Sequence, residues 1–101
     1  MSTISRLEIP DSSIRQFCQR HHIRKLSLFG SVLRDDFRPD SDVDVLVEFE
    51  PGKTPGFRFI AIQDELSELL GRKVDLSTPG FLHPRILKRV EAEAEPVYTA
   101  N

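Results

Sequence analysis

Valine and acidic residues alternate at residues 42–49, where the chain reads Asp-Val-Asp-Val-Leu-Val-Glu-Phe. Such alternation is typical of a β-strand, because successive side chains point to opposite faces of a sheet. The valines and Phe49 therefore share one face, while Asp42 and Asp44 project together from the other. The pattern predicts a sheet that helices cover on its apolar face and that is open on its acidic face.

The paired acids of this strand need a physical explanation. Two carboxylates ~4 Å apart repel each other by ~4 kcal/mol at an effective dielectric constant of about 20. Either one acid keeps its proton or a cation lies between them, and Mg²⁺ prefers such oxygen ligands. The alternative is the polar face of an edge strand on which both acids are simply solvated. The Asp-x-Asp pattern alone does not separate these interpretations.

Two further features favour a binding site on the open face. Gly30 and Ser31 follow a predicted strand at residues 25–29, and glycine permits both a sharp bend and a close backbone approach to a ligand. A helix that starts there would offer free N–H groups to a phosphate. Asp75 lies between two apolar residues of another predicted strand, so we expect it to face the same side as the paired acids. Three such acids could hold two metal ions.

The rest of the pattern predicts one α/β (α+β) domain over residues 1–101, with a small mixed sheet and helices packed on one face. A first helix is expected at residues 12–22, capped by Asp11, Ser12 or Ser13. A second helix is expected to start at residues 54–55 and to end at Gly71, and a last one to follow Pro84. The other predicted segments are a helical turn at 32–37, a loop at 38–41, a strand at 73–77, and an edge strand or ordered tail at 96–99.

Composition and charge exclude several classes of protein. The 101 residues include 14 Lys or Arg and 16 Asp or Glu, so the formal net charge is −2. We therefore expect no direct nucleic-acid binding, since general nucleic-acid binders are strongly basic. No apolar run approaches the ~20 residues needed to span a bilayer, so no membrane association is expected. The single cysteine, Cys18, excludes an internal disulfide, and without an apolar leader the expected location is the cytoplasm.

A basic run at residues 20–25 reads Arg-His-His-Ile-Arg-Lys and has two interpretations. It could attract RNA or the acidic surface of a partner, or it could be a solvated helix end. Its two histidines are adjacent, so their rings diverge on a helix and joint metal ligation is not expected.

The motif as a whole resembles that of a known superfamily. Leu28-Phe29-Gly30-Ser31, ten intervening residues and Asp42-Val43-Asp44-Val45 resemble the signature of the DNA polymerase β nucleotidyltransferases. Residues 30–44 resemble more narrowly the minimal nucleotidyltransferases, the MNT proteins that pair with HEPN-domain partners, and Lys73-Val74-Asp75-Leu76 fits the same group. Small family members often have glycine where this chain has Asp35, which puts the local turn in doubt but not the acids. The resemblance implies a polymerase β-like palm with an open catalytic face.

The resemblance also implies roles for individual residues. The implied nucleotide-binding residues are Gly30, Ser31, Arg34 and Ser41. Asp42 and Asp44 would ligate two Mg²⁺ ions, and Asp75 would ligate the catalytic ion and help to activate an acceptor hydroxyl. That hydroxyl would attack the α-phosphate of the nucleoside triphosphate ATP, and pyrophosphate would leave. Arg34 has the alternative of a structural ion pair with Asp40 or Asp42.

The acceptor implied by the resemblance lies on another chain. Only 26 residues follow Asp75 (101 − 75), enough for one helix and a tail, whereas larger relatives append a helical acceptor-binding domain. In the MNT group the partner is a HEPN-domain ribonuclease toxin, which implies an antitoxin that transfers AMP to a toxin hydroxyl, expected to be a tyrosine. Two other interpretations stay open: a non-catalytic antitoxin that acts by binding, and a nucleotidyltransferase for a small molecule such as an aminoglycoside. The sequence leaves the oligomeric state open.

Overall fold

The structure, a computed structural model, describes residues 2–4, 7–30, 42–53 and 55–100. It begins with a two-stranded antiparallel hairpin of β1 (Ser2–Ile4) and β2 (Leu7–Ile9). The sequence pattern did not predict this hairpin, because three-residue strands are too short to display a recognisable alternation.

The alternating and apolar segments form a second, mixed sheet with the strand order β5-β4-β3-β6. Its strands are β3 (Ile23–Phe29), β4 (Val43–Phe49), β5 (Val74–Ser77) and β6 (Glu95–Thr99). β4 pairs antiparallel with β3 and parallel with β5, while β6 pairs antiparallel with β3. The predicted strands are confirmed to within two residues, and residues 96–99 belong to an edge strand. The predicted segments at 32–37 and 38–41 lie outside the described residues.

The helices of the described residues are α1 (Asp11–Arg20), α2 (Phe59–Leu70) and α3 (Pro84–Glu93), with a short 3₁₀ turn at Pro79–Phe81 before α3. The predicted side-chain cap of α1 is wrong. The helix already includes Asp11, because the carbonyl of Pro10 accepts the N–H of Ile14 at 2.9 Å. No helix in the described part of the chain is long and apolar enough to cross a membrane.

The predicted start of α2 is also wrong, whereas its predicted end is confirmed. The helix begins at Phe59 because the preceding Pro55-Gly56 pair favours a turn, in which the carbonyl of Gly56 accepts the N–H of Phe59 at 3.2 Å. The helix ends at Gly71, which adopts the left-handed conformation with φ of 69°. Glycine reaches this conformation without the steric cost that a Cβ atom imposes.

The apolar core lies between the sheet and the helices α1 and α2. The three odd-numbered valines of β4 are completely buried, as the alternation predicts. They pack with apolar residues from both neighbouring strands and from the inner stripe of each helix. The core residues are Ile14, Phe17, Cys18, Ile23, Leu26, Leu28, Val43, Val45, Val47, Ile62, Leu66, Val74 and Leu76. Burial of the Cys18 thiol raises its pKa to about 12.

The opposite face of the sheet is covered at its middle. Ser27 and Leu46, which are register partners on β3 and β4, expose only 2% and 3% of their surface. Val90 of α3 is also buried, and it does not belong to the main core.

A polar contact joins α1 to α2 beside this core. Glu65 of α2 binds Arg20 through one carboxylate oxygen and His21 through the other, the latter at 3.1 Å. Partial burial alone would raise the pKa of Glu65, but the hydrogen bonds and positive charges of these two partners outweigh it and lower the pKa. The ring of His21 also packs edge-on against Phe17, with centroids 5.0 Å apart.

Candidate functional site

Two acids lie side by side on neighbouring strands at one end of the sheet. Asp44 of β4 and Asp75 of β5 are register partners in the parallel pair. The flanking residues of both strands are buried, whereas Asp75 is exposed and Asp44 is half-buried. Because side chains of paired residues point to the same face and adjacent strands lie ~4.8 Å apart, the two carboxylates share one patch of the surface. The predicted alternation of β5 is therefore confirmed.

The position of β5 depends on hydrogen bonds from α2. β5 is the edge strand next to α2, and backbone N–H groups on either side of Asp75 bond to helix side chains rather than to a strand. Val74 donates to the hydroxyl of Ser67, and Leu76 donates to the side-chain carbonyl of Gln63, both at 3.0 Å. These bonds satisfy the edge of the strand and hold Asp75 in register with its partner.

The contribution of Gln63 and Ser67 is absent from the sequence prediction. Their i, i+4 spacing places both on one side of α2, and the hydroxyl of Ser67 also donates to the backbone carbonyl of Gln63 at 3.0 Å. The sequence carries a weak signal for this role, namely two polar residues beside the apolar stripe of an otherwise inward-facing helix.

Gly30 lies directly against the Asp44 carboxylate. Phe29, the last residue of β3, pairs with Asp44, and the next residue turns the chain with φ of +79°. A Cβ atom built on Gly30 would lie 2.2 Å from Oδ2 of Asp44. Glycine is therefore required here both by the backbone conformation and by the contact. The corner between β3 and the following segment is thus placed beside the acids, as the sequence predicted.

The third predicted acid, Asp42, is exposed and immediately precedes the first residue of β4. Carboxylates are suitable donors for Mg²⁺. Within the described ranges, however, no three His, Cys, Asp or Glu side chains are grouped closely enough to hold a metal ion. The strand pairing between β4 and β5 includes Asp44 and Asp75 but not Asp42. The structure therefore brings two of the three predicted acids together as register partners, and Asp42 lies just before the strand. Ser31, Arg34 and Ser41 lie outside the described residues.

The arrangement has a defined chemical capacity. Two adjacent carboxylates concentrate negative charge, which favours a bound cation at this end of the sheet. A glycine corner next to them leaves room for an approaching group that carries its own oxygen atoms. The same corner provides backbone close to that group, as phosphate-binding turns do.

Comparison with known proteins gives concordant results. Residues 11–97 match the family model of the nucleotidyltransferase domain. The protein adenylyltransferase MntA of Thermococcus cleftensis is 36% identical over 95 residues, which cover 92% of this chain and 94% of the relative. A solved minimal nucleotidyltransferase is 37% identical with a TM-score of 0.72, and the match covers 85% of this chain and 87% of that one.

More distant structural neighbours share the fold. One is the MNT antitoxin complex with the tri-AMPylated HEPN toxin of Shewanella oneidensis, matched with a TM-score of 0.64 at 16% identity over 89% of this chain and 70% of that chain. Another is a toxin–antitoxin complex with AMP-PNP, matched with a TM-score of 0.73 at 16% identity over 92% of this chain and 76% of that chain. At this level of identity the likeness concerns the fold.

Proposed function

Because this chain belongs to the nucleotidyltransferase domain family, we propose that it transfers AMP from ATP to a hydroxyl group of a partner protein in a Mg²⁺-dependent reaction. The observation that carries the proposal is the pairing of Asp44 with Asp75 beside Gly30. A glycine corner next to paired acids gives a triphosphate room to approach and offers carboxylate ligands to its cations. The close relative that is named a protein adenylyltransferase supports a protein as acceptor.

The proposed roles follow from the position of each residue. Asp44 and Asp42 bind the cations that accompany the triphosphate, and Asp75 shares this task while orienting the acceptor hydroxyl and receiving its proton. Mg²⁺, when bound, supplies neutralising charge for the phosphates and for the leaving pyrophosphate. Gly30 admits the triphosphate next to Asp44, because it has no side chain in the space that a Cβ atom would fill. We retain Ser31, Arg34 and Ser41 as further nucleotide contacts.

The proposed acceptor is a tyrosine hydroxyl of a HEPN-domain toxin, which the modification neutralises. Support comes from the shared fold with the MNT antitoxin that is bound to an AMPylated HEPN toxin, and from the match to MntA. We further propose that the reaction takes place in the cytoplasm, where ATP is available. Such an antitoxin acts by covalent modification, in contrast to one that acts by binding alone.

The test measures transfer of label from α-labelled ATP to a co-expressed HEPN-domain partner, with Mg²⁺ or with EDTA. We expect transfer with Mg²⁺ only, and a loss of about 10²-fold or more in Asp42→Asn and Asp44→Asn, since a lost cation ligand costs several kcal/mol of transition-state stabilisation. The matched control is Asp64→Asn, which removes an exposed acid from α2 and should retain full transfer.

Neutralisation of the toxin is measured in the same strains by cell growth. Loss of both label and neutralisation in Asp44→Asn supports the proposal. If neutralisation persists after the label is lost, the chain acts as an antitoxin by binding. If the label persists in both aspartate variants, the assignment of the acids to catalysis is wrong.

A further inference from the structure

The end of the domain opposite the acids contains a basic cavity of about 280 Å³. The side chains that make it basic come from the end of α1 and from the segment between β4 and α2, namely Arg20, His21, His22, Lys53 and Arg58. β3 separates this cavity from Gly30 by its whole length of seven residues, which corresponds to roughly 20 Å. The basic cavity is therefore distinct from the acid site.

Only part of this positive charge is used within the protein. Glu65 binds Arg20 and His21, and Glu48 binds the nearby Arg24 at 3.0 Å. Lys53 and Arg58 are exposed, and neither forms an ion pair with a carboxylate of the described residues. Lys53 and Arg58 thus bring positive charge to the cavity that no ion pair of the described residues neutralises.

His22 lines the cavity in an unfavourable backbone conformation. It follows the end of α1 with φ of 56°, and within the described ranges it is the one non-glycine residue with a positive φ. Glycine is the usual residue at such a position, because a Cβ atom is crowded there. The imidazole lines the cavity at a position where the helix end would be more stable with glycine.

The start of α2 supplies two further features. Arg58 occupies the N-cap position of α2, makes no side-chain hydrogen bond to the helix and lines the cavity. Phe57, its neighbour in the chain, is completely exposed at 103%. An exposed aromatic residue next in the chain to a cavity-lining cation matches the way in which proteins bind bases and phosphates together.

We propose that the basic cavity binds the phosphate group of a nucleotide, whose base stacks on Phe57. Lys53, Arg58 and His22 contact the phosphate. The nucleotide is either free or part of a single strand of nucleic acid. The expectation of no direct nucleic-acid binding rested on the net charge of −2, which does not reveal that Arg20, Lys53 and Arg58 line one cavity. This site is independent of the proposed transfer reaction.

The experiment follows backbone amide and imidazole signals by NMR while AMP is added to the full chain in EDTA, which removes divalent ions from the acid site. We expect saturable shifts at His22 and Lys53. The double variant Lys53→Gln/Arg58→Gln should raise the Kd by about tenfold or more, because charge-assisted hydrogen bonds are lost. The matched control Lys88→Gln/Arg89→Gln removes two exposed cations from α3 and should change the Kd by less than about twofold.

Two single variants separate the contributions of base, phosphate and fold. Phe57→Ala should raise the Kd for AMP by about fivefold or more. It should leave the Kd for ribose 5-phosphate unchanged, because that ligand lacks a base. His22→Gly should weaken both ligands while raising the Tm by a few degrees, about the effect of relieving one strained residue. If His22 had only a structural role, its replacement by glycine would not raise the Tm and weaken binding at the same time.

A labelled single-stranded RNA octamer distinguishes the two sources of the nucleotide. If it binds about tenfold or more tightly than AMP and loses affinity in the same variants, the nucleotide belongs to a strand; equal affinity indicates a free nucleotide. NMR shifts confined to Gly30 and Asp44 would overturn the proposal. So would a loss of AMP affinity in Lys88→Gln/Arg89→Gln that equals the loss in Lys53→Gln/Arg58→Gln. Equal affinities for AMP and ribose 5-phosphate would overturn the stacking on Phe57.

Discussion

Substitution of Gly30 by alanine tests the link between the glycine corner and the acids. The new Cβ atom would lie 2.2 Å from Oδ2 of Asp44, so the carboxylate must retreat by about 1.2 Å to reach an ordinary contact of 3.4 Å. A displacement of ~1 Å in a reacting group costs about 10²-fold in rate. The left-handed backbone adds about 1–2 kcal/mol of lost stability, since φ is +79°.

Gly52→Ala is the matched control for this prediction. Gly52 has a φ of +77°, but a Cβ atom there meets no atom within 4 Å. Gly52→Ala should therefore lose about 1–2 kcal/mol of unfolding free energy in urea from backbone strain alone, and Gly30→Ala should lose at least as much. Transfer of label from ATP should fall about 10²-fold in Gly30→Ala only. If the two variants transfer label at rates within about threefold of each other, the contact with Asp44 does not position a reacting group, and the reasoning fails.

Four further outcomes follow from the structure. Asp75→Asn should reduce label transfer by about 10²-fold or more while leaving the Tm unchanged or higher, because repulsion between paired carboxylates is removed; a lower Tm would show a structural role. Gln63→Leu leaves the N–H of Leu76 without its acceptor, so it should cost about 1–3 kcal/mol of unfolding free energy and also reduce transfer. Folding lowers the pKa of Glu65, so its carboxylate stabilises the fold at pH values above the pKa that it has in the unfolded chain. This stabilisation is lost as the pH falls through the pKa of Glu65 in the folded protein. The urea midpoints of wild type and Glu65→Gln should therefore differ at pH 7 and converge under acidic conditions. The buried Cys18 thiol, with a pKa of about 12, should resist alkylation at pH 8 until the protein unfolds.

The order of the main helices and strands could be predicted because each signal is local. The alternation in β4 and the apolar stripe of α2 both reside in a few consecutive residues, and both are confirmed. Boundaries were less predictable. α2 begins at Phe59 rather than at residues 54–55, because the Pro55-Gly56 turn competes with the helix. The N-terminal hairpin escaped prediction because its strands are short.

The sequence by itself determined which acids share a face with one another. Alternation sends Asp44 to one side of its strand and its valine neighbours to the other, and the same rule applies to Asp75. It also determined that a glycine directly follows the strand that ends at Phe29. These properties depend on the geometry of one strand, so they can be deduced without knowing what the strand pairs with.

Only the tertiary structure decided that Asp44 and Asp75 are register partners, and that a Cβ atom on Gly30 would lie 2.2 Å from Oδ2 of Asp44. It also decided that α2 holds β5 in place and that basic residues distant in the chain line one cavity. Strand order and register depend on which apolar surfaces pack together across the whole chain. The sequence of one strand does not specify which strand lies beside it. A shift of the strand register by one residue would turn an acid from its own face of the sheet into the core.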